Sequence, residues 1–167
     1  MPRVGIALGS NLGDRLANIQ AARVYLQEFS LKSEPFLKSA TYQTEPKHCP
    51  PGSPYFYNSV VEIGFHGTPS QLLEITQSIE EKLGRSINPI FNAPRTIDVD
   101  LLYFGTEIIT TCSLILPHPR LRERRFVLQP LAEIRADLIL PGFQMTVQDL
   151  LTRLPADEPP LVSIDFP

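Results

Sequence analysis

Between residues 97 and 101 apolar side chains alternate with acidic ones, Ile97, Val99 and Leu101 against Asp98 and Asp100. That period marks a half-buried strand with both carboxylates on one face. Elsewhere the period lengthens to that of a helix. Leu16, Ile19, Ala22, Leu26 and Phe29 form one apolar stripe over 15–29. Thr68-Pro69-Ser70-Gln71 combines a capping hydroxyl, a proline suited to the first helical position and a glutamine for a capping box. The predicted helix runs to Leu83, with Gly84 as its stop and Leu72, Ile75, Ile79 and Leu83 inward. Gln77 and Glu80 share another face, whose default reading is solvated surface.

Further strands are predicted over 4–8, 38–44 and 59–65, with Ala40, Tyr42 and Thr44 on one side of the second. Gly105-Thr106 predicts a hairpin turn into 107–110. Residues 126–134 look helical but are interrupted by Pro130. Thr146 and Asp149 open a last helix to about Leu154. Strands and helices mix without strict alternation, which predicts an α+β sandwich with helices over a largely antiparallel sheet.

The segments between these elements carry most of the unusual residues. Gly9-Ser10-Asn11-Leu12-Gly13-Asp14 turns a strand into a helix, but it matches no phosphate-loop spacing and reads as structural. Pro46, Pro50, Pro51, Pro54 and Gly52 make 45–54 a loop. Tyr55-Phe56-Tyr57-Asn58 follows and offers a stacking surface with an amide edge, suited to a flat heterocycle. Ordinary packing of these aromatics is the alternative, and composition alone favours it. Residues 86–94 form a loop bracketed by Arg85 and Arg95. His118 is fixed between Pro117 and Pro119. Arg120, Arg122, Arg124 and Arg125 read either as a solvated helix face or as a phosphate clamp. The proline-rich stretch 155–167 reads as a surface-running extension.

The 167 residues fit a single domain over 1–167, with 43% hydrophobic and 20% charged residues typical of a globular chain. A net charge of −3 argues against a nucleic-acid partner. Cys49 and Cys112 are too few for a zinc site or a disulfide framework. No apolar run approaches the roughly 20 residues of a membrane span, and Met1-Pro2-Arg3 leads straight into a strand without signal-peptide architecture. A cytoplasmic protein without a membrane partner is expected. No apolar helix face is left over, so a monomer is expected too.

Asp98 and Asp100 repel one another unless a cation intervenes, and such oxygen ligands suit Mg²⁺. Arg95 beside them points to an anionic ligand such as a polyphosphate. The plainer alternative is the solvated face of an antiparallel strand, which that short motif alone favours.

Taken in order, the segments from Gly5-Ile6-Ala7-Leu8-Gly9-Ser10-Asn11-Leu12-Gly13 to Phe126-Val127-Leu128-Gln129-Pro130-Leu131 resemble the 6-hydroxymethyl-7,8-dihydropterin pyrophosphokinases of folate synthesis. The most specific block is Pro94-Arg95-Thr96-Ile97-Asp98-Val99-Asp100-Leu101-Leu102, followed by Leu116-Pro117-His118-Pro119. Tyr42-Gln43-Thr44-Glu45-Pro46, Phe56-Tyr57-Asn58 and Gly84-Arg85 add to it.

The resemblance implies a ferredoxin-like α+β fold and transfer of pyrophosphate from ATP, as co-substrate, to the pterin hydroxymethyl group. It implies Asp98 and Asp100 as ligands of two Mg²⁺ ions, and Arg85 and Arg95 as the catalytic arginines that also contact ATP. Gln77, Glu80, Leu101, His118 and Arg124 fall where the family binds ATP. Thr44, Pro46, Phe56, Asn58 and Phe126 fall where it holds the pterin. The 86–94 loop corresponds to a family lid. Asn92 and Ala93 stand where the family usually has tryptophan and glycine, so weaker closure is expected. The rival expectations are a non-catalytic ferredoxin-like binding domain and a metal-dependent phosphohydrolase.

Overall fold

The computed structural model of the chain describes residues 1–46, 49–84 and 96–165. Its centre is β1 (Arg3–Ser10), flanked on one side by β4 (Phe56–Gly64) and on the other by β5 (Asp98–Phe104). Beyond β4 lies β3 (Tyr42–Thr44), then β8 (Val162–Ser163), while β2 (Leu37–Lys38) also pairs with β4. Every pairing in this sheet is antiparallel.

Helices α1 (Arg15–Phe29) and α2 (Pro69–Lys82) cover one face, where Val4, Ile6, Leu8, Val99 and Leu101 meet Ile19, Leu26, Leu72 and Ile79. Both helices start as their sequences predict. Asp14 accepts from the Ala17 N–H at 3.1 Å, and Thr68 with Gln71 forms a reciprocal capping box. Gly84 stops α2 at φ +96°, a conformation that favours glycine. The end of α1 departs from expectation: Phe29 is 42% exposed, because the core contact ends at Leu26.

The other face packs on α3 (Arg125–Arg135) and α4 (Val147–Thr152), which bury Leu128, Leu131 and Leu150 against Val60 and Leu102. Pro130 does not interrupt α3. It lies buried inside the helix, and the hydrogen bond it forgoes would have gone to a carbonyl in the first turn.

Two further expectations are corrected. Residues 38–44 form two short strands, parted by a backbone step at 39–41. Arg23 of α1 holds that step through the Ser39 carbonyl at 2.9 Å, and Glu133 of α3 accepts from the Ala40 N–H at 3.0 Å. The turn at Gly105 leads to no hairpin with β5; β6 (Ile109–Thr110) pairs instead with β7 (Ile115–Leu116). The C-terminal extension runs along the surface and pairs there as β8 with β3, with Asp165 accepting from the Thr41 N–H at 2.9 Å.

Candidate active site

The register of the central strand assembles the site. Gly9 pairs with Asn58 on one side and with Asp98 on the other, and Ala7 pairs with Val60 and Asp100. Asp98 and Asp100 alternate with Val99 and Leu101, so both carboxylates leave the α1/α2 core. Asn58 is buried, and its amide donates to the Thr44 hydroxyl at 2.6 Å. A Cβ at residue 9 would stand 3.0 Å from the Asn58 Oδ1. Glycine there leaves the amide undisturbed and the floor between Asn58 and Asp98 clear.

The aromatic segment divides. Phe56, two residues before Asn58, shares its face. Tyr57 points to the α1 side beneath the Arg15 guanidinium, 4.0 Å from the ring centre, and Tyr55 is exposed. Of the three aromatics, Phe56 alone lies on the face of β4 that carries Asn58. Phe126 stands half-buried in the first turn of α3, and the Arg124 guanidinium lies 5.3 Å from its ring.

A cleft of about 350 Å³ runs along β5 and is lined by Gln77, Glu80, Asp100, Leu101 and His118. Gln77 is exposed there. Glu80 corrects the solvated-surface reading: it is buried and accepts from the Val99 N–H at 3.3 Å, between the two aspartates in sequence. Its place one turn after Thr76 brings it against β5, a contact that helical period alone does not reveal.

His118 donates its backbone N–H to the Leu102 carbonyl at 2.7 Å, and its Nδ1 accepts from the Arg120 N–H at 3.1 Å. Burial, then the charges of Arg124 and Arg120, lower its pKa to about 4. The ring is therefore neutral at pH 7, with its proton on Nε2. Burial and Arg120 also lower the Arg124 pKa, while the charges of Asp100, Glu123 and Asp98 oppose that shift. The four arginines do not act as one clamp. Arg124 is coupled to the aspartates, whereas Arg122 lies 5.1 Å from the Phe143 ring.

Among the described residues, no three or more histidine, cysteine, aspartate or glutamate side chains gather as a metal cage. The pair Asp98 and Asp100 nevertheless suits Mg²⁺, which typically takes one or two carboxylates and completes its shell with water and substrate phosphates. Arg85, Arg95 and the Asn92-Ala93 departure lie outside the described residues. Thr44, Pro46, Phe56, Asn58 and Phe126 are described, as are Gln77, Glu80, Leu101, His118 and Arg124. Sequence reading passed over Asn11, Arg15 and Asn18, whose side chains tie the turn after β1 to distant backbone. The only sequence signal was the density of amide and glycine residues in 9–18. No helix among the described residues is long and apolar enough to cross a membrane.

A family model described as 7,8-dihydro-6-hydroxymethylpterin-pyrophosphokinase matches residues 5–136. A 2-amino-4-hydroxy-6-hydroxymethyldihydropteridine pyrophosphokinase of Bacillus subtilis is 44% identical over 129 residues, covering 77% of this chain and 75% of its own. The protein of that name in Methylorubrum extorquens is 38% identical over 154 residues, 92% of this chain and 94% of its own. A folic acid synthesis protein of Pneumocystis carinii is 43% identical over 152 residues, 90% of this chain, but the match spans only 20% of that longer protein. Among solved structures, a Plasmodium falciparum HPPK-DHPS aligns with a TM-score of 0.71 at 15% identity, over 91% of this chain and 44% of that one. That last likeness concerns the fold alone.

The sheet and its helices form an α+β fold, and the relatives of matching length are named pyrophosphokinases. The chain belongs to the 7,8-dihydro-6-hydroxymethylpterin-pyrophosphokinase family.

Proposed function

We propose that the chain transfers the pyrophosphoryl group of ATP to the hydroxymethyl oxygen of 6-hydroxymethyl-7,8-dihydropterin, in folate synthesis. The carrying observation is that Gly9 pairs with both Asn58 and Asp98, so an acceptor pocket and a phosphate site meet across one residue without a side chain. The bond from the pterin oxygen to the β-phosphorus forms, the bond from that phosphorus to the α-phosphate oxygen breaks, and AMP leaves. The hydroxyl proton is released to water in the same step.

Thr44, Pro46, Phe56, Asn58 and Phe126 hold the pterin, the amide of Asn58 at its polar edge and the two phenyl rings against it. Gln77, Glu80, Leu101, His118 and Arg124 bind ATP. Glu80 does so in part by keeping β5 in place, and His118 by presenting a neutral ring with its proton on Nε2. Arg85 and Arg95 counter the phosphate charge. Asp98 and Asp100 would hold two Mg²⁺, which supply charge neutralisation for the triphosphate. Displacement at a phosphoanhydride phosphorus needs positioning and charge stabilisation more than a protein nucleophile.

A ferredoxin-like architecture is supported by the strand order β5-β1-β4-β3, with α1 and α2 on one face. A cytoplasmic setting fits the nucleotide co-substrate and the free thiols of Cys49 and Cys112. On this reading the chain is a monomeric single domain.

The test is product analysis with Mg·ATP, with and without the pterin. AMP formed only with the pterin supports transfer. ATP consumed without it indicates a phosphohydrolase, and no turnover in either tube indicates a binding domain.

A further inference from the structure

The proposed acceptor and phosphate sites lie on β4 and β5, which never touch, because β1 separates them. Beyond the end of β1, the distance between them depends on whatever grips both strands. The turn after β1, and the first helical turn it feeds, does so with side chains. Asn18 donates from its one amide nitrogen toward the Thr96 carbonyl at 3.2 Å, the Leu12 carbonyl at 3.0 Å and the Ser10 hydroxyl at 3.3 Å. Thr96 precedes Asp98 by two residues. On the opposite side, the Arg15 guanidinium donates to the Tyr55 carbonyl at 2.8 Å and covers the Tyr57 ring. The Asn11 amide reaches the Pro54 carbonyl at 3.4 Å. Pro54 and Tyr55 lead directly into Phe56 and Asn58.

The turn itself is well determined. Gly13 takes φ +72°, which glycine adopts without strain, and Asp14 caps α1. Asn18 lies in the first helical turn, where its side chain points back over the segment before the helix. The backbone leading into each half of the site, at Pro54 and Tyr55 on one side and at Thr96 on the other, is thus fastened to a single rigid piece of chain.

We propose that Asn18 is a positioning residue for transfer, with Arg15 and Asn11 as its counterpart on the acceptor side. Together they set the separation between the pterin oxygen and the phosphorus it attacks. This rests on the pyrophosphoryl-transfer reading above. Asn18 touches neither substrate. Its removal loosens the start of β5 relative to β1 and leaves each binding pocket made of its own residues. A displacement of about 1 Å between reacting groups lowers a rate by roughly a hundredfold, even when both partners remain bound.

The experiment compares the full chain with Asn18→Ala and Asn18→Asp. The second keeps the side-chain shape but exchanges the amide donor for an acceptor facing two carbonyls. Dissociation constants for Mg·ATP and for the pterin are measured separately by calorimetry, and transfer is measured in a single turnover at saturating concentrations. The expected result is a transfer rate lower by about tenfold or more, with both dissociation constants within about threefold of wild type. Asn18→Asp falls at least as far as Asn18→Ala. Should Asn18→Ala fail to fold, Asn18→Asp decides.

An unchanged transfer rate overturns the proposal. So does a rate lost only in proportion to weakened binding, which is the signature of general structural damage. Wild-type protein that makes no AMP in the presence of pterin sinks the parent reading, and this one with it. Wild type that transfers normally, beside an Asn18 variant that does the same, removes only this one.

Discussion

The Tyr103 hydroxyl donates to the Glu62 carboxylate at 2.5 Å, across the strand that separates them. Both residues pair with Gly5 of β1, and a Cβ at residue 5 would fall within the Tyr103 ring's own space. Glu62 is fully buried, and it also accepts from Arg135 at 2.5 and 2.6 Å and from Arg3 at 2.9 Å. Burial and the neighbouring Glu62 charge keep the Tyr103 pKa well above its ordinary value, so the phenol stays a donor. This buried cluster fastens β4, β1, β5 and α3 together at the end of the sheet away from Gly9. Gly5→Ala is expected to destabilise the protein by about 2–4 kcal/mol through overpacking. Tyr103→Phe is expected to lose about 1–2 kcal/mol. Urea unfolding measures both, and a neutral Gly5→Ala would show that the crossing tolerates a side chain.

Asp98 and Asp100 face the same side of β5 over Ala7 and Gly9. Replacing either with alanine is expected to lower pyrophosphoryl transfer by about a hundredfold or more, because phosphate charge then lacks its counter-ion. Folding should be little affected, since Asp98 is only half-buried and Asp100 is exposed. Turnover at saturating Mg²⁺ is the measurement, with circular dichroism as the control. Near-normal turnover in either variant removes the metal assignment.

His118 titrates near 4 in the fold, below its ordinary value of 6.5. The folded state therefore binds fewer protons than the unfolded chain between those two values. Its contribution to stability is fully present above about pH 6.5 and declines as the pH falls toward 4, by less than the full shift would give because the ring is partly exposed to solvent. Unfolding free energies measured from pH 7 to pH 4 should fall more steeply for wild type than for His118→Gln. Parallel curves would assign the slope to other groups.

Val162 and Ser163 close the edge of β3, and Gln129 holds the Leu161 backbone through both a donor and an acceptor, at 3.1 and 2.8 Å. Ending the chain at Pro155 should cost about 1–3 kcal/mol of stability through these lost hydrogen bonds. It should also leave a strand edge open to pairing between molecules. Denaturant midpoints and light scattering across a concentration series test this. A truncated chain that is equally stable and equally dispersed would show that β8 contributes nothing.

Much of this architecture was legible locally. The start of α1 and both ends of α2 follow from Asp14, Thr68, Gln71 and Gly84, because capping depends on residues within one turn of each other. The alternation at 97–101 correctly sorted Val99 and Leu101 from Asp98 and Asp100, since a strand's faces follow from its period. Of the residues carried by the resemblance, Gln77, Glu80, Asp100, Leu101 and His118 line one cleft, and Phe56 and Asn58 share one face of β4.

What the sequence could not decide depended on partners distant along the chain. Arg23, Glu133 and Asp165 break the 38–44 strand from α1, α3 and the C-terminal segment, and none of them is a neighbour in sequence. Glu80 looked solvated until α2 docked against β5, and Pro130 looked disruptive until its ring was buried in the core. The sequence by itself determined the main helices, the central strands and which faces of them are apolar. Which side chains meet, and at what separation, was decided by strand register and helix packing, because those depend on contacts that no local period or spacing encodes.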